Sequence, residues 1–242
     1  MLSSLRINLT TGWYCLIMAD MRVAPTVRER VTSSRDCFWH TDDFDGSPAA
    51  VTKELSRLAD SGDLRRVRRG LYWRGTPTPL GMAPPPPDRL TREVVGNSGV
   101  GPAGLSAALA LGLTTQVPRF DTIAVPGRIP RNPGSLRLVS RAASTKRHSE
   151  NLRSAEVALF EVLRDWPGLV ELSTSEAVNY IGRLIDADEI RVDRLVRASS
   201  SEPPRVRERL RSLLGYIGKS QIAEAILPAR SRQVHQDLAI AG

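Results

Sequence analysis

Arg57, Arg65, Arg66, Arg68, Arg69 and Arg74 stand within one short stretch, opposed there only by Asp60 and Asp63. A guanidinium presents a planar fork of donors that matches the oxygens of a phosphate, so this density suits contact with a nucleic-acid backbone. Just upstream, Ser47, Ala49, Thr52, Lys53 and Ser56 are small, polar or basic. Residues of that kind on one helix face can approach base edges in a major groove. A solvated basic hairpin on a protein-binding module is the competing reading of the same residues.

Other chemistry is less well supported. Gly99, Gly101 and Gly104 spell a GxGxxG pattern, which in a strand–turn–helix setting would cradle a phosphate. The preceding residues 90–95 could equally be helical, and Asp121 follows a proline turn rather than ending a strand. The glycines are therefore expected to mark a loop that opens a small-residue helix. His40, His148 and His235 are scattered, with no acid or cysteine at metal-ligand spacing. No Glu-x-Lys occurs, as a metal-dependent nuclease core would require. Asp186, Asp188 and Glu189 read as a solvated helix cap, and His148 as part of a basic loop. The expectation is a non-enzyme with no catalytic residue, no cofactor and no metal.

The elements that would position the arginines are legible. Ser47 can cap a helix whose first residue, Pro48, lacks an N–H that would be unpaired there anyway. Val51, Leu55 and Leu58 recur at helical spacing, with Ala49, Lys53, Ser56 and Arg57 opposite. Gly62 ends the helix, because glycine tolerates the left-handed conformation that follows a last turn. Leu64 and Val67, amid the arginines, then Gly70 and Leu71-Tyr72-Trp73, read as strand, turn and return strand. Upstream, residues 25–35 suit a first helix through Val27 and Val31, Cys37-Phe38-Trp39 is a short apolar run, and Thr41 to Phe44 suits the start of a second helix. The sequence thus predicts an α+β protein. An N-terminal winged helix-turn-helix over 22–80 is followed by a mixed, mostly helical C-terminal domain with a small β element over 89–227. The residues expected to face DNA are Ser47, Ala49, Thr52, Lys53, Ser56, Arg57, Arg65, Arg66, Arg68, Arg69, Tyr72 and Arg74.

The remaining organisation follows from composition. The 242 residues carry a net charge of +8, and 41% are hydrophobic. Residues 22–80 hold 11 basic and 8 acidic side chains, residues 88–150 hold 9 and 4, and residues 151–242 hold 13 of each. The positive excess lies in the first two thirds, and the balanced last third suits packing or a protein partner. Residues 1–21 contain a brief apolar cluster too short for a membrane span and are expected to be disordered or an over-extended start, with Met18 and Met21 as other starts. Cys15 and Cys37 do not form a disulfide framework or zinc pattern. A cytoplasmic protein with no membrane contact is expected. Residues 81–88, with prolines from Pro84 to Pro87, suit a stiff linker. Beyond it, 102–113 reads as an alanine-rich helix, while Thr122–Val125 and Leu136–Val139 read as strands able to pair as a hairpin. Helical patterns follow from residue 151 to a terminal helix over 203–217, then a weakly patterned tail over 228–242.

Two blocks of this chain resemble a known family, the AbiEi-type antitoxins. The first ends its helix in Leu55, Leu58 and Gly62, continues through a basic segment and closes on Arg69, Gly70 and Tyr72. The second, Ser106 to Gly127, contains the run LGLTTQ before a strand. The resemblance spans residues 22–214. It implies an antitoxin encoded beside a nucleotidyltransferase-like toxin, with an N-terminal domain that binds repeats in its own promoter and represses the operon, and a C-terminal domain needed for neutralisation. The partners so implied are promoter DNA with inverted or direct repeats, a cognate nucleotidyltransferase-like toxin and, on the DNA, a second copy of the chain. Two other readings share the residues: a stand-alone winged-helix transcriptional regulator without a toxin partner, and a nucleic-acid-processing enzyme whose winged helix only positions substrate.

Overall fold

The computed structural model describes residues 23–131 and 135–228. The expectations for residues 1–21 and for the tail from 229 onward lie outside them. The chain is α+β, and it divides into two compact units between Leu90 and Thr91. Among the described residues no helix is long and apolar enough to cross a membrane.

The first unit opens with α1, residues 23–32, followed by strand β1 (Cys37–His40). Val23, Val27 and Val31 are its buried stripe. In place of the expected second helix there is a single 3-10 turn, Thr41–Asp43. The cause is local. The Asp43 carboxylate accepts the His40 backbone N–H at 2.6 Å, and Gly46 follows at φ +124° with no room for a side chain, since a Cβ there would meet Val23 at 2.4 Å. Ser47, held extended by the proline after it, then starts the next helix.

That helix, α2 (Pro48–Asp60), buries Val51, Leu55 and Leu58 against α1, Leu64 and Tyr72. Strands β2 (Arg65–Arg68) and β3 (Leu71–Arg74) form a hairpin, and β1 pairs antiparallel with β3 on its other side. The sheet order β1-β3-β2 makes β3 central, which is why Leu71, Tyr72 and Trp73 are all buried.

The segment expected to be a linker belongs to this unit. Strands β4 (Pro77–Thr78) and β5 (Gly81–Met82) make a second small hairpin, and helix α3 (Pro87–Val95) starts on the last proline of the run. Arg65 donates to the Met82 carbonyl at 3.2 Å and the Trp73 indole N–H to the Ala83 carbonyl at 3.0 Å. These bonds fasten residues 81–83 to the sheet, so they do not act as a spacer.

The second unit packs one core around α6 (Ser154–Arg164), whose residues 156–163 are all buried. Around it stand α4 (Leu105–Ala110), α8 (Thr174–Asp186), α9 (Val192–Ser199) and α10 (Pro204–Tyr216), with single turns α5 (Lys146–Ser149), α7 (Trp166–Leu169) and α11 (Ser220–Ala223). His148 therefore lies in a helical turn, where a loop was expected. A three-stranded sheet of β6 (Gly101–Pro102), β7 (Thr122–Val125) and β8 (Arg137–Ser140) completes the unit. β7 and β8 run parallel, not as the expected hairpin. Arg141 N–H donates to the Val125 carbonyl at 2.7 Å and the Ser140 hydroxyl to the Gly127 carbonyl at 2.9 Å, so the ends of both strands lie together. Prolines 126 and 130 lack the N–H groups with which a tight turn extends a ladder.

Buried charge is concentrated in this second core. Arg147, fully buried, bridges Glu202 at 2.6 Å and Glu161 at 2.8 Å; Arg141 holds Glu161 at 2.7 Å and Arg164 holds Glu202 at 3.1 Å. Burial works against the Arg147 charge, but the bonds and charges of Glu202 and Glu161 outweigh it and raise its pKa above the ordinary arginine value. Burial likewise pushes Glu161 up, and Arg141 with Arg147 more than reverses this, leaving its carboxyl below the ordinary range.

Candidate nucleic-acid interface

The exposed face of α2 is organised from its ends. The Ser47 side chain accepts the Ala50 N–H at 3.2 Å, and Gly62 at φ +83° takes the chain off the helix. Ser47, Ala49, Thr52, Lys53 and Arg57 are exposed, as placed by the apolar spacing of the buried face. Glu54 departs from that pattern: it is buried, and its carboxylate is held by Arg28 at 2.7 Å and by Arg57 at 3.3 Å. Arg57 is thus partly committed inside the unit. The part played by Arg28 was missed from sequence, because no spacing rule links α1 to α2.

Two of the expected contact residues hold the interface together instead. Tyr72 is fully buried, and its hydroxyl lies 3.2 Å from that of Ser56, which is half-buried. This pair clamps α2 to the central strand. Tyr72 is buried because it sits opposite Trp39 in β1 and Arg66 in β2, with α2 over its face. Arg74 is also spoken for: it donates to the Asp63 carbonyl at 2.6 Å, pinning the start of the hairpin.

The hairpin itself is stubby. Arg68 pairs with Leu71, so the loop is the two residues Arg69-Gly70, and Gly70 adopts φ +77°. The register slips between Arg66 and Arg68, with Val67 as the extra residue. Arg66 faces Tyr72 across the ladder and Arg68 faces Leu71. Cross-strand partners share a face and neighbours alternate, so the bulge sends Arg66 and Arg68 to opposite faces of the hairpin. Without it they would share one. Arg65, Arg66 and Arg69 are exposed and Arg68 is half-buried. Among the described residues no hydrogen bond or ion pair engages the side chains of Lys53, Arg66, Arg68 or Arg69.

Beside the hairpin lies an open cleft of about 350 Å³, lined by Ser56, Asp60, Arg65, Arg66, Leu80 and Met82 among others. Leu80, at the tip of the β4–β5 hairpin, is wholly exposed. Nothing in the sequence pattern pointed to this second hairpin, whose strands are two residues each.

The GxGxxG run has a packing explanation. A Cβ on Gly99 would stand 2.6 Å from the Arg147 carbonyl carbon, and one on Gly101 would stand 2.7 Å from the Ser154 carbonyl oxygen. Glycine is required there because backbone passes against backbone. Asp186 ends α8 and Asp188 pairs with Arg153 at 3.3 Å, so the acidic group lies at a helix C-terminus and not at a cap of the next helix. Among the described residues no three His, Cys, Asp or Glu side chains gather as a metal site would require.

No known protein-family pattern matches the chain, and no curated protein matches it. Among solved structures it is similar to the RV2827C protein from Mycobacterium tuberculosis, at 20% identity and a TM-score of 0.44, covering 86% of this chain and 80% of that one.

Proposed function

We propose that this protein is an operator-binding repressor of the antitoxin type, in which the first unit is a winged helix on promoter DNA and the second serves a cognate nucleotidyltransferase-like toxin. The observation that carries the DNA-binding half is the grouping of uncommitted cations on one small unit: Lys53 on the exposed face of α2, with Arg66, Arg68 and Arg69 around the tip of the adjoining hairpin. Helix α2 is the element suited to the major groove, and the β2–β3 hairpin is the wing. The order α1, β1, turn, α2, β2, β3 and the sheet order β1-β3-β2 support the winged-helix reading. Support for the toxin half comes from the two AbiEi-like blocks, through Leu55, Gly62 and Tyr72 and through residues 106–127.

Two measurements test the two halves. Full-length protein is titrated onto a labelled duplex taken from upstream of its own reading frame, against a scrambled duplex of equal length. Specific binding is expected; equal affinity for both would refute an operator. The adjacent reading frame is then expressed with and without this protein. Growth arrest relieved by co-expression is expected, and arrest that persists would remove the antitoxin assignment.

A further inference from the structure

We infer that the β2–β3 hairpin reads DNA shape by placing the single side chain of Arg69 in a narrow, A·T-rich minor groove, with Arg66 and Arg68 on the two phosphate walls beside it; this rests on the DNA-binding half of the function proposed above. The argument is one of size. A two-stranded ribbon spans roughly 5 Å between backbones and about 10 Å through its faces, whereas the minor groove of B-DNA is about 6 Å wide. The ribbon cannot enter, but one extended side chain can. The hairpin presents one such side chain at its tip. Its loop has two residues, Gly70 has no side chain, and Arg69 is exposed with no partner among the described residues.

The flanking arginines fit the same target. The bulge at Val67 puts Arg66 on the face of Tyr72 and Arg68 on the face of Leu71. A ribbon standing edge-on over a minor groove has one phosphodiester wall on each side, so one arginine meets each. An unbulged strand would have sent both to the same wall. The β1 strand, paired with β3 as far as His40 opposite Leu71, ends level with the hairpin, so the hairpin cannot wrap further around the duplex. A guanidinium in the groove gains most where the groove is narrow and its negative potential focused, as in A-tracts. The expected ligand is therefore duplex DNA with a short A·T run beside the segment read by α2, and specificity at that run comes from width and not from a base-edge code.

The test uses the full chain. Duplexes are selected from a random pool by wild type and by Arg69→Ala, and sequenced. Wild-type selections should carry a common segment plus a flanking A·T run, and Arg69→Ala selections should keep the segment and lose the run. On one wild-type-selected duplex, replacing the run by G·C pairs should weaken wild-type binding about tenfold, whereas replacing it by inosine·cytosine pairs, which lack the guanine amino group in the minor groove, should leave affinity nearly unchanged. This second measurement needs no variant. If both proteins select a common segment and neither selects the run, the minor-groove role is overturned while operator binding stands. If Arg69→Ala lowers affinity equally for A·T and G·C flanks, Arg69 is a phosphate contact and the inference also fails. If neither protein enriches any duplex, both this inference and the operator reading fall.

Discussion

Salt titration of wing variants separates arginines that meet DNA from arginines that hold the fold. Arg66 and Arg68 have no partner among the described residues and lie on opposite faces of the hairpin, so each is assigned one phosphate. Arg74, two residues past Tyr72 in the return strand, is bonded at 2.6 Å to the Asp63 carbonyl and is assigned none. Each phosphate neutralised contributes about 0.9 to the slope of log K against log salt, so Arg66→Ala with Arg68→Ala should flatten that slope by about 1.8. Between 50 and 200 mM salt the double variant should then lose about 12-fold less affinity than wild type, while binding more weakly at the low-salt end. Arg74→Ala should leave the slope unchanged and lower the thermal midpoint instead. The assay is fluorescence anisotropy with the promoter duplex across a salt series, beside a melting curve for each variant. A double variant with the wild-type slope, or an Arg74→Ala variant that flattens it as much, would refute this division of labour.

Tyr72→Phe removes the contact with the Ser56 hydroxyl and should cost about 1 kcal/mol of unfolding free energy; a loss of DNA affinity at unchanged stability would mean that the phenol reaches DNA. Arg147→Met leaves Glu161 and Glu202 buried with only their partly exposed arginines, and should destabilise by roughly 3 kcal/mol in urea unfolding; a change below about 0.5 kcal/mol, within the scatter of surface substitutions, would contradict the burial assigned to it. Because Glu161 is held below its ordinary pKa, its contribution is complete above the unfolded carboxylate range and is lost as pH falls through the folded value, so the gap between wild type and Arg147→Met should narrow in acid. Glu171 is lowered from 4.5 to about 2 by the Thr115 N–H, the Gln116 amide and the hydroxyls of Thr114 and Thr115, which tie residues 114–116 to it. That tie is complete above pH 4.5 and is lost as pH falls toward 2, so amide protection at Thr115 should drop over that window, and Glu171→Gln should abolish the pH dependence.

The α2 helix and the hairpin after it were readable because their signals are local. A cap at Ser47, a helical apolar stripe and a glycine stop at Gly62 act within one or two turns, and the observed bounds Pro48–Asp60 follow from them. Terminal elements of the second unit were legible for the same reason, as in α10 with Val206, Leu210, Leu213 and Leu214 buried at helical spacing. The candidate interface was only partly legible. Arginine reads alike in sequence whether it faces solvent or a carbonyl, so Arg57, Arg65 and Arg74 could not be told apart from Arg66, Arg68 and Arg69. The neighbours that differ, Glu54, Met82 and Asp63, are fixed by how strands and helix come together.

Composition and local spacing by themselves determined the α+β class, the place of the basic helix-and-hairpin segment and the balanced charge of the last third. Tertiary structure decided what depends on pairing between distant segments. It made β3 central and so buried Tyr72, ran β7 and β8 parallel, fastened the proline-rich segment to the first sheet, and gathered Arg147, Glu161 and Glu202 into one buried network. The physical reason is range. Caps and periodicity are settled within a few residues, whereas strand order, a one-residue bulge and the pairing of a buried charge are settled by packing between segments that the sequence keeps far apart.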